Sequence, residues 1–289
     1  MKFEGTVTAM VTPFCEDGSV DWGALRALVE RQAEGGVEGL VPVGTSGESP
    51  TLDRKEHLDV IAKTIEAAAG RMFVVAGTGA NSTAEAADLT KEVIAMGGAA
   101  ATLQVTPYYN KPNAEGLYRH FATIADLGLP VILYNVPGRS GRELPLDVVK
   151  RLAAHPNIVA VKEAAGSVDR VSAIRDMCDL AVFAGDDSLA LPMISAGACG
   201  VISVASNVIP REMSDFIRAA LAGDAGARAA HRRLWRLFHA LFLDTNPIPA
   251  KEALAMMGLA KPVFRLPLCG TTPEIRERLA EVLRGYGLV

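Results

Sequence analysis

The residues with the clearest chemical potential lie in Asn157–Gly166, NIVAVKEAAG. A run of β-formers, Ile158 to Val161, delivers one lysine, Lys162, at its end, followed by Glu163 and the small residues Ala164, Ala165 and Gly166. A short apolar run bounded by turn signals reads as a buried parallel strand. Burying a lysine's charge is costly, and desolvation lowers its pKa and frees the amine as a nucleophile. The chemistry this allows is Schiff-base attack on a carbonyl substrate. The competing reading is a lysine that turns outward and snorkels to solvent.

Other reactive side chains follow similar β-rich runs. Gly44–Ser49, GTSGES, flanks the hydroxyls of Thr45 and Ser46 with glycines. Such a loop can aim successive backbone N–H groups at an anion while its hydroxyls relay protons; the alternative is an ordinary polar turn. Tyr134–Gly141, YNVPGRSG, supplies a phenol at Tyr134 for acid–base work on a carbinolamine and a guanidinium fork at Arg139, read as a loop residue, for a carboxylate. VTPYYNKP carries adjacent aromatics, Tyr108 and Tyr109, of which one can face a pocket while the other packs on a neighbour or a second subunit. Asp186 and Asp187 would repel a phosphate at their loop, so a carboxylate is the expected anion.

The elements that must position these groups recur along the chain. β-rich runs cover 6–13, 39–45, 72–79, 100–107, 130–137, 158–164, 180–187 and 200–207, and their ends lie 21 to 33 residues apart. That spacing holds one strand, one helix and two loops. Ser82 and Glu85 form a capping-box pattern ahead of a helix from Glu85 to Met96, Leu52–Ala69 is amphipathic, and Pro145 opens a helix ending near His155. Eight β-then-α units predict a (β/α)8 TIM barrel, whose chemistry sits at the C-terminal strand ends. The alternative, a doubly wound sheet, would carry a Gly-rich dinucleotide loop after its first strand, and VTPFCEDGS is not one. Arg211–Ala222 reads as the last barrel helix. Residues 223–289 read as a strandless helical appendage with helices Ala225–Leu243, Pro249–Met257 and Pro273–Arg284, giving a 1–222 barrel and a 223–289 helical domain.

Bulk properties narrow the function classes. The 289 residues, 49% hydrophobic, can bury a large core in one barrel, and a formal charge of −4 with no basic run gives no reason to expect nucleic acid. Cys15, Cys178, Cys199 and Cys269 are scattered without a CxxC pair, and the five histidines make no HExxH spacing, so neither a disulfide frame nor a metal site is expected. MKFEGTVTAM does not read as a signal peptide and no apolar span suits a membrane helix, so a cytoplasmic location is the expectation.

Together GTSGES, VTPYYNKP, YNVPGRSG, VKEAAG, GDD, GVISVASN and NPIPAKEAL resemble, in order and spacing over essentially the whole chain, the dihydrodipicolinate synthase (4-hydroxy-tetrahydrodipicolinate synthase) family of pyruvate-dependent class I aldolases, which includes N-acetylneuraminate lyase. The resemblance implies a cofactor-free lyase condensing pyruvate with L-aspartate-4-semialdehyde in lysine and diaminopimelate biosynthesis. It implies that Lys162 forms the imine and that Tyr134 shuttles protons. Thr45 would link Tyr134 to Tyr109, which would reach into a neighbouring subunit of a homotetramer. It gives the pyruvate carboxylate to the N–H groups of Thr45 and Ser46, the semialdehyde carboxylate to Arg139, and the Ile202 carbonyl a place near the lysine nitrogen. Ser46 stands where the family usually has threonine, a small change. L-Lysine inhibition at a dimer interface would involve Ser49, Pro50, Arg54, His57, Asn81, Glu85 and Tyr108. Arg54 replaces a common histidine and Pro50 a common small residue, so weak to moderate inhibition is the expectation.

Two rival functions remain at this point. N-Acetylneuraminate lyase and 2-keto-3-deoxy sugar-acid aldolases share the lysine, tyrosine and hydroxyl loop, but Arg139 suits a short carboxylated aldehyde better than a polyhydroxy chain. A non-catalytic small-molecule-binding member would not need every proposed catalytic group.

Overall fold

A computed structural model describes residues 3–289. Eight parallel strands pair in sequence order and close into a barrel. They are β1 (Gly5–Ala9), β2 (Gly39–Val41), β3 (Phe73–Gly77), β4 (Ala101–Val105), β5 (Val131–Asn135), β6 (Ile158–Glu163), β7 (Ala181–Ala184) and β8 (Gly200–Ser203). Closure is made by β8 on β1, with Gly5 opposite Gly200 and Thr8 opposite Ser203. The helices of the first part of the chain are α1 (Trp22–Glu34), α2 (Arg54–Ala68), α3 (Thr83–Met96), α4 (Ala114–Ala125), α5 (Pro137–Ser140), α6 (Leu146–Leu152), α7 (Val168–Met177), α8 (Ala190–Ser195) and α9 (Pro210–Leu221). The remaining helices are α10 (Gly226–Ala240), α11 (Ile248–Met256) and α12 (Pro273–Gly285); no strand follows β8 among the described residues.

The strands stop earlier than their apolar runs. The second run was expected to reach Thr45, but β2 ends at Val41. Pro42 has no N–H for the ladder, and Val43 adopts a left-handed φ of 55°. Pro13, Pro107 and Pro137 likewise stand beyond the observed ends of β1, β4 and β5. The residues between strand and helix are thereby released to line the mouth of the barrel.

Helix starts follow local chemistry. The complete capping box belongs to α2: the Glu56 N–H donates to Asp53 Oδ1 at 2.8 Å and the Asp53 N–H donates to Glu56 Oε2 at 3.2 Å. At α3 only half of the expected box forms, the Glu85 N–H donating to Ser82 Oγ at 3.5 Å. Pro145 precedes α6 as its cap instead of serving as its first residue.

Side chains alternate between two cores, as a strand period of two requires. Val7, Ala9, Leu103, Ile132, Ala160, Phe183 and Ile202 fill the barrel interior. Leu133 and Val161, their neighbours in sequence, pack outward against the helices with Leu117, Phe121 and Val148. This alternation sends Tyr134, two residues after Ile132, and Lys162, two residues after Ala160, into the barrel. The C-terminal helices pack on each other and on α9, α10 touching both α9 and α12, and α11 touching α12.

Candidate active site

Lys162 and Tyr134 are direct register partners on adjacent strands. Both are 6% exposed, and Lys162 Nζ stands 4.2 Å from the centroid of the Tyr134 ring. They share a cavity with Thr45, Ser46, Arg139, Asp186, Val204, Phe242 and Asn246, at the C-terminal end of the strands. Beside it lies a 280 Å³ cavity lined by Thr45, Tyr108, Tyr134, Arg139, Asn246 and Leu268 among others. Gly185 has to be glycine for close approach, since a Cβ there would fall 2.4 Å from the Ala164 side chain beside Lys162.

The hydroxyl loop is wound on itself. The N–H groups of Gly47 and Glu48 donate to the carbonyls of Gly44 and Thr45, whereas those of Thr45 and Ser46 have no acceptor among the described residues. Two successive unpaired amides in residues that line a cavity suit a carboxylate. The Ser46 hydroxyl is buried and accepts from Asn246 Nδ2 at 3.0 Å. That bond explains why a hydroxyl, of serine as well as threonine, serves at this position. Arg139 sits in the one-turn helix α5, not in a loop as expected, because Pro137 presets the helical φ at the first turn. Its Nη2 donates to the Asn246 carbonyl at 3.0 Å, which leaves the rest of the guanidinium for an incoming anion.

The acids of the seventh loop differ in placement. Burial pushes the Asp186 carboxyl up from its ordinary pKa, while the nearby Lys162 opposes that shift. Asp187 Oδ2 instead accepts from the N–H groups of Val204 and Ala205, at 3.1 and 2.8 Å, and holds the chain leaving β8. Behind Lys162, on the outward face, Glu163 accepts from Asn135 at 2.8 and 3.1 Å, from the Ala165 N–H at 2.9 Å and from Arg170 Nε at 3.0 Å. Asn135 in turn accepts from the Leu144 N–H at 2.9 Å. This network grips the residues next to Tyr134 and Lys162, and sequence reading assigned it no role.

The remaining expected site residues divide. Thr45 and Tyr134 line one cavity, but their hydroxyls are not bonded to each other. Ile202 is fully buried in the barrel interior with Tyr134. Tyr109 is not brought to the site of its own chain; it is 90% exposed, with φ at 71°. Of the adjacent pair it is Tyr108 that lines the cavity beside that of Lys162. A separate 280 Å³ cavity is lined by Ser49, Pro50, Arg54, His57, Glu85 and Tyr108. Asn81 lies at its edge and donates to the Tyr108 carbonyl at 3.3 Å.

A second buried lysine tests the choice of nucleophile. Lys251 is fully buried and its pKa is held down by desolvation, with Glu48 opposing. Its Nζ is engaged by Glu48 Oε1 at 2.5 Å and lines neither cavity. Lys162 alone of the two presents its nitrogen to an open space. Among the described residues no cluster of three or more His, Cys, Asp or Glu side chains could hold a metal ion.

Comparison with known proteins places this geometry. The 4-hydroxy-tetrahydrodipicolinate synthase of Koribacter versatilis is 48% identical over 296 residues, covering 100% of this chain and 98% of the relative. The chloride-inhibited dihydrodipicolinate synthase from Acinetobacter baumannii, crystallised with pyruvate, superposes with a TM-score of 0.97 at 45% identity, covering 100% of each chain. The enzyme from Cyanidioschyzon merolae, crystallised with lysine bound, gives 0.95 at 41% identity over 99% of each chain. The family model for dihydrodipicolinate synthetases matches residues 2–285, and the chain belongs to that family.

Proposed function

We propose that this chain condenses pyruvate with L-aspartate-4-semialdehyde to give 4-hydroxy-tetrahydrodipicolinate through an imine on Lys162. The single observation that supports it most is the buried Lys162 amine facing the Tyr134 ring at 4.2 Å in a cavity that also holds the unpaired Thr45 and Ser46 amides. Those amides bind the pyruvate carboxylate and set its ketone against Nζ. The amine adds to the carbonyl carbon, and loss of water leaves the imine. Tyr134 delivers and removes the protons of that exchange. Loss of a methyl proton gives the enamine, whose carbon attacks the semialdehyde aldehyde, its carboxylate held by Arg139. The substrate's own amine then displaces Lys162 and closes the six-membered ring. One water is released overall, at imine formation, and no oxidant or reductant is consumed.

Within the same reading the Ile202 carbonyl orients the lysine nitrogen. Tyr109 crosses to a neighbouring subunit of a homotetramer and extends the relay through Thr45. L-Lysine occupies the cavity of Ser49, Pro50, Arg54, His57, Glu85 and Tyr108, with Asn81 at its edge. The compartment is the cytoplasm.

Turnover of pyruvate and L-aspartate-4-semialdehyde, coupled to reduction of the cyclic product, tests the reading. Lys162→Ala is expected to abolish both turnover and the borohydride-trapped pyruvate adduct. Trapping without turnover of the semialdehyde would move the substrate to a sugar-acid aldehyde. Full turnover in Lys162→Ala would remove the Schiff base.

A further inference from the structure

Two motif residues have no role in the chemistry above: Glu48 of GTSGES and Lys251 of NPIPAKEAL. They meet. Glu48, at φ 54°, and Lys251, on α11, form an ion pair at 2.5 Å with both side chains at 0% exposure. The ammonium is enclosed by the rings of Phe14 and Phe264, at 4.2 and 5.0 Å from their centroids. The second Glu48 oxygen accepts from the Arg265 N–H at 3.2 Å. Arg265 is itself fixed, by two bonds of 2.6 Å to Glu56 and by donation to the carbonyls of Gly18 and Thr51.

The partners on the other side of the loop belong to the barrel. Thr12 Oγ1 donates to the Gly47 carbonyl at 2.7 Å. A Cβ on Gly47 would lie 2.9 Å from the backbone of Val43, so the loop rests directly on the chain leaving β2. The segment carrying the unpaired Thr45 and Ser46 amides is thus held between the barrel and the C-terminal helices. On the helical side the holds are Lys251, the Arg265 N–H and Asn246, the last through Ser46.

A buried ion pair is a poor source of net stability, because desolvation offsets its attraction and an apolar pair of equal volume does as well. What it adds is direction: the ammonium fixes one carboxylate oxygen, and with it the left-handed turn three residues after Thr45. We propose that Glu48 and Lys251 are positioning residues through which the C-terminal helices set the loop's affinity for pyruvate. The proposal rests on the assignment of the Thr45 and Ser46 amides to the pyruvate carboxylate.

The test compares full-length wild type with Lys251→Met, Glu48→Gln and the double variant, each assayed well below its own melting temperature. Lys251→Met is expected to raise the KM for pyruvate about tenfold, as loss of one well-placed charge-assisted contact does. The KM for the semialdehyde should stay within about twofold, since Arg139 is untouched. Pairing Lys251→Met with Glu48→Gln removes the uncompensated charge and should recover melting temperature, while the KM for pyruvate stays raised because the directional contact is still missing. A pair that serves folding alone would lower the melting temperature of the single variants and leave the pyruvate KM unchanged, which overturns the proposal. Should Lys251→Met fail to fold, Glu48→Gln is read by the same two constants. Borohydride trapping with peptide mapping separates the two levels. A wild-type adduct on any lysine but Lys162 removes the site assignment. An adduct on Lys162 that half-saturates at the same pyruvate concentration in every protein removes only the positioning role.

Discussion

Tyr134 illustrates how much one residue's direction decides. Its sequence neighbours Leu133 and Asn135 face the helices, while Tyr134 continues the inward row begun by Ile132 and meets Lys162. The ring supplies a face to the amine and the phenol supplies a proton donor, and these two functions can be separated. Tyr134→Phe keeps the ring and should still form the borohydride-trapped adduct at saturating pyruvate. Its kcat should fall about a hundredfold or more, the usual worth of a positioned acid–base group. An unchanged kcat would give the proton transfers to another group. Lys162 and Tyr134 were readable in the sequence because an apolar run ending in a polar residue is unusual. Lys251 and Asn246 were not, because they lie on and just before α11, whose side chains meet the barrel only through tertiary packing. Glu48 was hidden for the same reason: its partner is 203 residues away.

At the scale of elements the periodicity of strands and helices was legible, and their exact ends were not. Proline and left-handed residues stop the ladder before the apolar run stops, as at Pro42 and Val43. The same truncation frees the chain after β2, β3 and β4 to wall two cavities at once. Ser49, Pro50, Gly79 and Tyr108 line both the cavity beside that of Lys162 and the one flanked by α2 and α3. A ligand in the second cavity would therefore press on the segment that follows the hydroxyl loop. His57, whose pKa is lowered mainly by burial, is tied to the Gly77 carbonyl at 2.7 Å and adds no charge there, while Glu85 faces the space as an acid. Arg54 is partly neutralised by Glu92 at 3.6 Å. An ammonium ligand is accordingly favoured over an anionic one. Millimolar L-lysine should lower the rate partially, and Glu85→Gln should weaken that inhibition by about tenfold, the loss expected for one charge-assisted hydrogen bond. A rate that stays flat across the lysine titration would leave the cavity without this ligand.

For the whole molecule, the helical segment after the barrel acts as a wall of the site and a clamp on its loop, so barrel and appendage share one function. The chain also presents a feature that its own fold does not use. Tyr109 holds a φ of 71° and exposes 90% of its surface, next to a tyrosine that turns into the cavity. A non-glycine residue in the left-handed region costs on the order of 1 kcal/mol or more, and here no intramolecular packing of the ring offsets it. An exposed aromatic of this kind is what a second copy of the chain would bury. If Tyr109 completes the neighbour's proton relay, specific activity should fall on dilution in step with dissociation measured by sedimentation. Tyr109→Phe should keep the assembly intact, since the ring remains, yet lower kcat by about tenfold to a hundredfold because the hydroxyl is gone. A Tyr109→Phe enzyme with full kcat would leave the ring as an interface contact alone. Activity that persists in the isolated monomer would show that each barrel carries a complete relay of its own.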